Sequence, residues 1–356
     1  MPKRRVRRPG RAKTEGAPAG ARQKRDNAAA VLASHLSQEN CNKTASSGVL
    51  IDMATQTEPA TQTVMAIRSD REPFVALDWA LFTSVGLIWG SSFLFIKIGL
   101  EAFHPGLITF ARVGLGALTL ALLPSASRRI DSEDRPRLVL LSIVWVGIPF
   151  TLFPLAEEHI NSAVTGLLNG GTPLFTGVIG ALFFARVPRG PQRLGIAVGF
   201  LGIVLVSWGS SAEGGTAIVG VLMVLAATLC YGVATNLAGD LQRKYGSVPV
   251  MAKMLVLGTI WTAPFGLYGA ARSGFALGPA VATAVLGVVG TGVAFALMAS
   301  LVGRVGGPRA SFITYLIPVV SLVLGAVFLD EKVAALALVG VGLVIAGALL
   351  ASRREH

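Results

Sequence analysis

Polar residues are confined to brief punctuation along most of this chain. From about Leu77 to Leu350, apolar positions run in blocks of about 20 residues, separated by short stretches rich in Arg, Asp, Glu, Pro and Gly. A helix rises 1.5 Å per residue, so ~20 apolar residues match a hydrocarbon core ~30 Å thick. Runs of that length are too long for buried strands. The pattern predicts ten spans, over residues 77–99, 105–123, 138–156, 161–184, 193–209, 216–238, 250–270, 280–302, 309–329 and 334–351. Short connections make neighbouring helices antiparallel. The expected fold class is an all-α integral membrane protein.

The second five blocks repeat the first five. Aligning Pro173 with Pro318 lays PLFTGVIGALFF (173–184) over PVVSLVLGAVFL (318–329). Gly195 then falls on Gly340 and Gly202 on Gly347, and at the front of each half Trp89-Gly90 falls on Tyr231-Gly232. Five is an odd number, so the second copy enters the membrane from the opposite side. Ten transmembrane helices in two inverted five-helix repeats are therefore expected, the first over 77–209 and the second over 216–351. Such repeats are a recurring architecture of secondary transporters. The 42 glycines fit either close helix packing or hinges.

Charge sets the orientation. With the N-terminus inside, the inner loops carry Arg128, Arg129, Arg135 and Arg137, then Arg186, Arg189 and Arg193, then Arg243 and Lys244, then Arg304 and Arg309, with Arg353 and Arg354 at the C-terminus. The outer loops carry Arg272 and Lys332. By the positive-inside rule both termini are cytoplasmic and the protein is expected in the cell membrane. Residues 1–75 read as a disordered basic tail with 13 Lys/Arg and 7 Asp/Glu, half of the net charge of +12. Its polybasic run, Lys3 to Lys13, is followed by no apolar stretch of the kind a signal peptide has. Attraction to anionic lipid accounts for it better than nucleic acid, since no aromatic residues are interleaved. Met53 and Met65 are alternative starts.

The composition, 53% hydrophobic and 14% charged, agrees with a membrane class. Cys41 and Cys230 have no metal-ligand or disulfide spacing. There is no phosphate-cradling loop, no metal motif and no serine or cysteine at a telling distance from a histidine. No enzyme, metal or cofactor is expected. Charges inside lipid are costly and are functional candidates by default. Arg112 lies roughly 10 Å into the second span by its rise of 1.5 Å per residue. It fits a carboxylate or phosphate ligand, or a structural anchor on backbone carbonyls or Glu101. Lys97, and likewise Lys253, is expected to snorkel to an interface. Glu157 and Glu158 close the third span at the outer face, where solvation is expected, with a proton or cation site as the alternative. A second tier of polar and aromatic groups stands at mid-membrane: Trp89 and Ser92, Tyr231 and Asn236, Asn169 and Thr172 before Pro173, and Tyr315 before Pro318. The two prolines kink their helices, free a carbonyl, or do both.

TSVGLIWGSSFLFIKIGLEAFHP (83–105), ITFARVGLGAL (108–118) and RASFITYLIPVVSLVLGAVFLDEKVAALALVGVGLVIAG (309–347) resemble an EamA-type member of the drug/metabolite transporter superfamily. The resemblance covers both halves, roughly 77–351. It implies a central cavity and movement of a small organic metabolite, such as an amino acid or derivative, often outward. One departure stands out: Ala185-Arg186 occupies the place of an acid in the first repeat, opposite Asp330-Glu331. Glu331 thus reads as a helix-boundary residue. The coupling ion is open, and a homodimer is compatible with this class. The competing reading is a non-transporting receptor or adaptor that works through its basic tail.

Overall fold

The computed structural model describes residues 73–183, 190–211 and 217–352. Most of the expected tail lies outside the described residues, as do Ala185, Arg186, Arg189, Arg353 and Arg354. Among the described residues every regular element is helical and there is no strand. In chain order the helices are α1 (Ala76–Leu100), α2 (Pro105–Ala121), α3 (Ser132–Glu157), α4 (Ser162–Phe183), α5 (Pro191–Val206), α6 (Ala217–Tyr245), α7 (Ser247–Ala270), α8 (Leu277–Val305), α9 (Ser311–Phe328) and α10 (Ala335–Leu350). Seven of them are long and apolar enough to cross a membrane; α2, α5 and α10 are shorter apolar stretches.

Boundaries agree with the hydropathy blocks to within a few residues, with two corrections. The third block was expected to start at 138, but α3 starts at Ser132, so Arg135 and Arg137, expected in a loop, lie in its first turns. The sixth block was expected to stop at 238, and Arg243 and Lys244 to lie in a loop. Instead α6 runs on to Tyr245. Leu241 and Tyr245 stay buried along this extra length, while Asp240 and Arg243 face outward. One apolar stripe is enough to hold a helix against its neighbours beyond the lipid.

Several helices are irregular inside. A π-helical turn interrupts α3 at Ser142–Gly147, and another interrupts α8 at Val288–Val293. The fourth block is not one continuous α-helix: Ser162–Asn169 and Thr172–Phe183 meet at Gly170-Gly171. A 3-10 stretch, Ser311–Tyr315, opens α9. Pro173 and Pro318 both stand in the first turn after such a break, where a missing N–H costs nothing.

Helix α1 packs on α8 and α9, α6 on α3 and α4, α2 on α7, and α5 on α10. The α5–α10 contact is nearly backbone to backbone. A Cβ on Gly202 would lie 2.5 Å from the Gly340 carbonyl oxygen, and one on Gly347 would lie 2.5 Å from that of Gly195. Between helices surrounded by lipid there is no hydrophobic drive, so close approach through glycine supplies the attraction.

At one end of the bundle a polar network ties the loop before α3 to the end of α6. Lys244 Nζ lies 2.9 Å from Asp131 and 2.7 Å from Asp134, and the Tyr245 hydroxyl lies within hydrogen-bond distance of both carboxylates, at 2.8 and 2.7 Å. At the same end Arg304 Nε meets the fully buried Asp78 at 2.5 Å.

Two predictions follow from this packing. Gly202→Ala should destabilise the detergent-solubilised protein by about 1–3 kcal/mol, because backbone cannot move aside as a side chain does. Gly342→Ala should change little, since nothing lies within 4 Å of a Cβ there. The second concerns acid. The hydrogen bonds from Lys244 and then Tyr245 hold the Asp131 carboxyl below its usual range. A depressed folded-state value means that the contribution is full above the ordinary aspartate value of about 3.9 and is lost as pH falls through the depressed one. The stability difference between the native chain and Asp131→Asn should therefore be small but measurable at neutral pH, given the group's exposure. It should fade below about pH 4.

Candidate functional site

Arg112 is the centre of the arrangement. It faces inward from α2 and is 6% exposed. Its guanidinium stacks on Phe150 of α3, 4.0 Å from the ring centroid. Its Nε donates to Thr291 Oγ1 of α8 at 3.1 Å. Thr291 sits in the π-helical turn, and its hydroxyl in turn donates to the Leu286 carbonyl. The widened turn lowers Thr291 toward α2, where Gly116 leaves room for it: a Cβ there would fall 2.6 Å from Thr291 Cγ2. Arg112 is thus anchored neither to backbone carbonyls nor to Glu101, as the anchor reading supposed. The described residues give it one hydrogen bond, at Nε. Among the described residues its two terminal nitrogens make no hydrogen bond.

Aromatic rings surround this group. Phe295, one turn beyond Thr291, meets Trp89 of α1 edge to face at 5.7 Å. Phe153, one turn beyond Phe150, packs against Tyr231 of α6 at 5.9 Å and against Phe93 of α1 at 5.6 Å. Trp89 and Tyr231 each touch both of the buried clusters into which the apolar core divides. The structure therefore places Tyr231 near Arg112, links Trp89 to it through Phe295, and adds Phe150, Phe153 and Thr291. A guanidinium stacked on a ring, with further aromatics on the neighbouring turns, suits an organic anion, held by bidentate bonds at one end and by ring contact at the other.

The remaining candidates have other partners. Asn236 Nδ2 donates to the Thr176 carbonyl at 3.0 Å and joins α6 to α4. The Tyr315 hydroxyl donates to the Ala348 carbonyl at 2.8 Å and joins α9 to α10. Ser92 bonds back to Ile88 within α1. Thr172 bonds to the Asn169 carbonyl across the break in α4. Asn169 is buried at that break, and its side-chain oxygen has no partner.

A cleft of about 880 Å³ opens at the end of the bundle opposite the Lys244 network, with Lys97, Glu101, Glu157, Asn161 and Glu331 among its lining. One expectation is corrected here, for Glu157. Lys97 has fixed partners that its sequence position did not reveal: its Nζ donates to the carbonyls of Glu157 at 2.6 Å and Ile160 at 3.3 Å, at the C-terminal end of α3. Glu157 is not solvated: it is fully buried, and neither carboxylate oxygen has a partner. Glu158, its neighbour, is exposed as expected. Glu331 is a boundary residue, but for another helix. It accepts from Ser162 N at 2.8 Å, Ala163 N at 2.9 Å and Ser162 Oγ at 3.0 Å, so it caps α4. The preceding Asp330 has φ 51, and Leu329 N and Glu331 N both donate to the Gly325 carbonyl. This left-handed ending turns the chain so that Glu331 reaches back over α9 to α4. A positive helix start meets an anion, and a negative helix end meets a cation, on either side of the α3–α4 turn.

The EamA-like transporter family matches residues 79–208 and, a second time, residues 218–353. The chain belongs to this family. This EamA-like chain is 27% identical to an uncharacterized transporter of Archaeoglobus fulgidus over 78% of its own length and 99% of the other's. It is 29% identical to a probable terminal-alkyne amino-acid exporter of Streptantibioticus cattleyicolor, over 78% and 93%. A solved crystal structure, 17% identical, shares its fold with a TM-score of 0.54 over 77% of this chain and 96% of the other. The protein is a multi-pass membrane protein of a transporter family, and family membership implies a small-molecule substrate.

Sequence reasoning missed Thr291, Phe150 and Phe153, and it named Glu157 with solvation as the expectation and a proton or cation site as the alternative. A polar Thr between two glycines in an apolar block, GTG at 290–292, was the signal for the first. Phe150 and Phe153, three apart, share one helix face and were legible as a pair. Nothing local marked Glu157 as buried. Glu331→Ala, which uncaps α4, should cost about 1–2 kcal/mol, measured by unfolding in detergent. Asp330→Gly should be neutral or better, because glycine takes the positive φ without strain.

Proposed function

We propose that this chain is a secondary transporter that moves a small organic solute carrying a carboxylate, such as an amino acid or derivative, across the cell membrane. The observation that carries the reading is Arg112: a buried guanidinium stacked on Phe150, to which the described residues give one hydrogen bond, at Nε. A guanidinium inside the bundle is costly unless it is paired, and a solute carboxylate would supply the pair. The naming of one relative as a probable amino-acid exporter agrees with this class of solute and with efflux as its direction.

The mechanism is alternating access in ten spans arranged as two inverted five-helix repeats, residues 77–209 and 216–351, with both termini in the cytoplasm. The twofold match of the family supports the repeat. So do the pairings of α1 with α9 and of α6 with α4, related by exchange of the halves, and the π turns in both α3 and α8. The glycines paired by the sequence alignment, Gly195 with Gly340 and Gly202 with Gly347, all lie in the α5–α10 contact. The Lys/Arg distribution supports the orientation. Arg112 binds the solute carboxylate, Trp89 and Tyr231 border the organic part, and Asn169 offers an unpaired oxygen on the α4 side.

The test is flux in reconstituted vesicles, screened over amino acids, their derivatives and other organic anions. Arg112→Ala should lower transport of the accepted solute by about 10–100-fold, the worth of a charge-assisted bond of ~1.5–3 kcal/mol. Arg112→Lys should keep part of it, and Arg272→Ala all of it. Flux unaltered in Arg112→Ala removes Arg112 from the site. No flux across the panel, with protein correctly inserted, overturns the transporter reading.

A further inference from the structure

Glu157 is left unexplained by the solute site. It closes α3, is fully buried, lines the 880 Å³ cleft, and has no hydrogen bond on either oxygen. Buried polar groups are otherwise almost always paired, and an ionised carboxylate sealed from water without a bonded partner is among the costliest groups in a fold. Something that enters from the cleft must remove that cost.

The surroundings select what it is. On the α1 side stands Lys97, whose ammonium is 2.6 Å from the carbonyl oxygen of Glu157 itself. On the α2 side the charged neighbour is Arg112, and from the loop after α9 it is Glu331, whose oxygens are engaged by α4. Helix α6 faces this turn with Gly220, which brings no charge. A metal cation would need several oxygen ligands and would sit beside a fixed ammonium. Among the described residues no group of three or more His, Cys, Asp or Glu side chains is placed to hold a metal. A proton needs one oxygen and no coordination shell.

We propose that Glu157 is a proton-binding site of the transport cycle, loaded from the cleft and closed over in this conformation. The proton binds a carboxylate oxygen, and the carboxyl is neutral while sealed. When the proton leaves, the carboxylate attracts the Lys97 ammonium, which then releases the carbonyls of Glu157 and Ile160 at the end of α3. The C-terminal end of α3 and the turn into α4 are freed as a result. Proton occupancy and helix position are thereby linked through one lysine. The inference deepens the transporter reading and rests on it for its place in a cycle.

The experiment is infrared difference spectroscopy of the full chain in lipid bilayers, stepped in pH without any solute. Proton binding is read directly, so a failed flux screen and a failed titration are separate results. The native chain should show a carbonyl-stretch band of a protonated carboxyl that disappears as pH rises and shifts in heavy water. The band should be lost in Glu157→Gln, the neutral mimic of the loaded state, and kept in Glu158→Gln. A band unaltered in Glu157→Gln overturns the proposal. So does a titration that depends on sodium concentration at constant ionic strength, which would mark a metal-ion site. Should Glu157→Gln fail to fold, the native chain is treated with dicyclohexylcarbodiimide, which attacks protonated carboxyls from the apolar phase. An adduct on Glu157 that declines with rising pH supports the assignment, and its absence at low pH overturns it.

Discussion

No backbone or side-chain polar group can be left to water once the chain is inside lipid, and the architecture is organised around meeting that demand. The point is clearest where helices end or break below the surface. The α3–α4 turn illustrates it: Lys97 holds the last carbonyls of α3, and Glu331 holds the first amides of α4. Each charge meets the helix pole of opposite sign. Each also comes from a distant part of the chain, 60 and 169 residues away, so two other elements are pinned to one turn. Gly325 permits this, because a Cβ there would collide with the Glu331 carboxylate.

The same demand explains why the irregular backbone is put to use. The π turn in α8 brings Thr291 to the guanidinium of Arg112, and at the break in α4 the Thr172 hydroxyl takes the carbonyl of the buried Asn169. A widened turn leaves backbone groups to be satisfied locally: the Thr291 hydroxyl takes the Leu286 carbonyl while it accepts from Arg112. One residue thus serves the helix and the site together. In the proposed cycle these breaks are the places where a helix can change shape without exposing unpaired groups to lipid.

Legibility in the sequence followed the range of the interaction. The apolar helices and the twofold sequence match were readable because hydropathy and spacing are local properties. Arg112 was readable because a cation in an apolar block is conspicuous wherever it points. Trp89 and Tyr231 were flagged by their matching positions in the two halves, and they do stand near Arg112. Asn236 and Tyr315 were flagged by the same argument, yet their hydrogen bonds join helices. Polar groups at mid-membrane serve cavities and helix contacts equally well, and which of the two depends on the rotation of each helix about its axis.

Glu157 shows the boundary most sharply. From the sequence alone, an acid at the end of an apolar block is a headgroup residue like Glu158 beside it. A helix turns 100° per residue, so adjacent side chains face different ways. Packing by α1 and α6 then decides which acid is covered and which is wet. The sequence by itself determined that this chain lives in a bilayer and roughly where it enters and leaves, because transfer free energy sums along a contiguous segment. Only the tertiary structure decided which charges are paired, capped or left bare, because that depends on helix rotation and on partners far away along the chain.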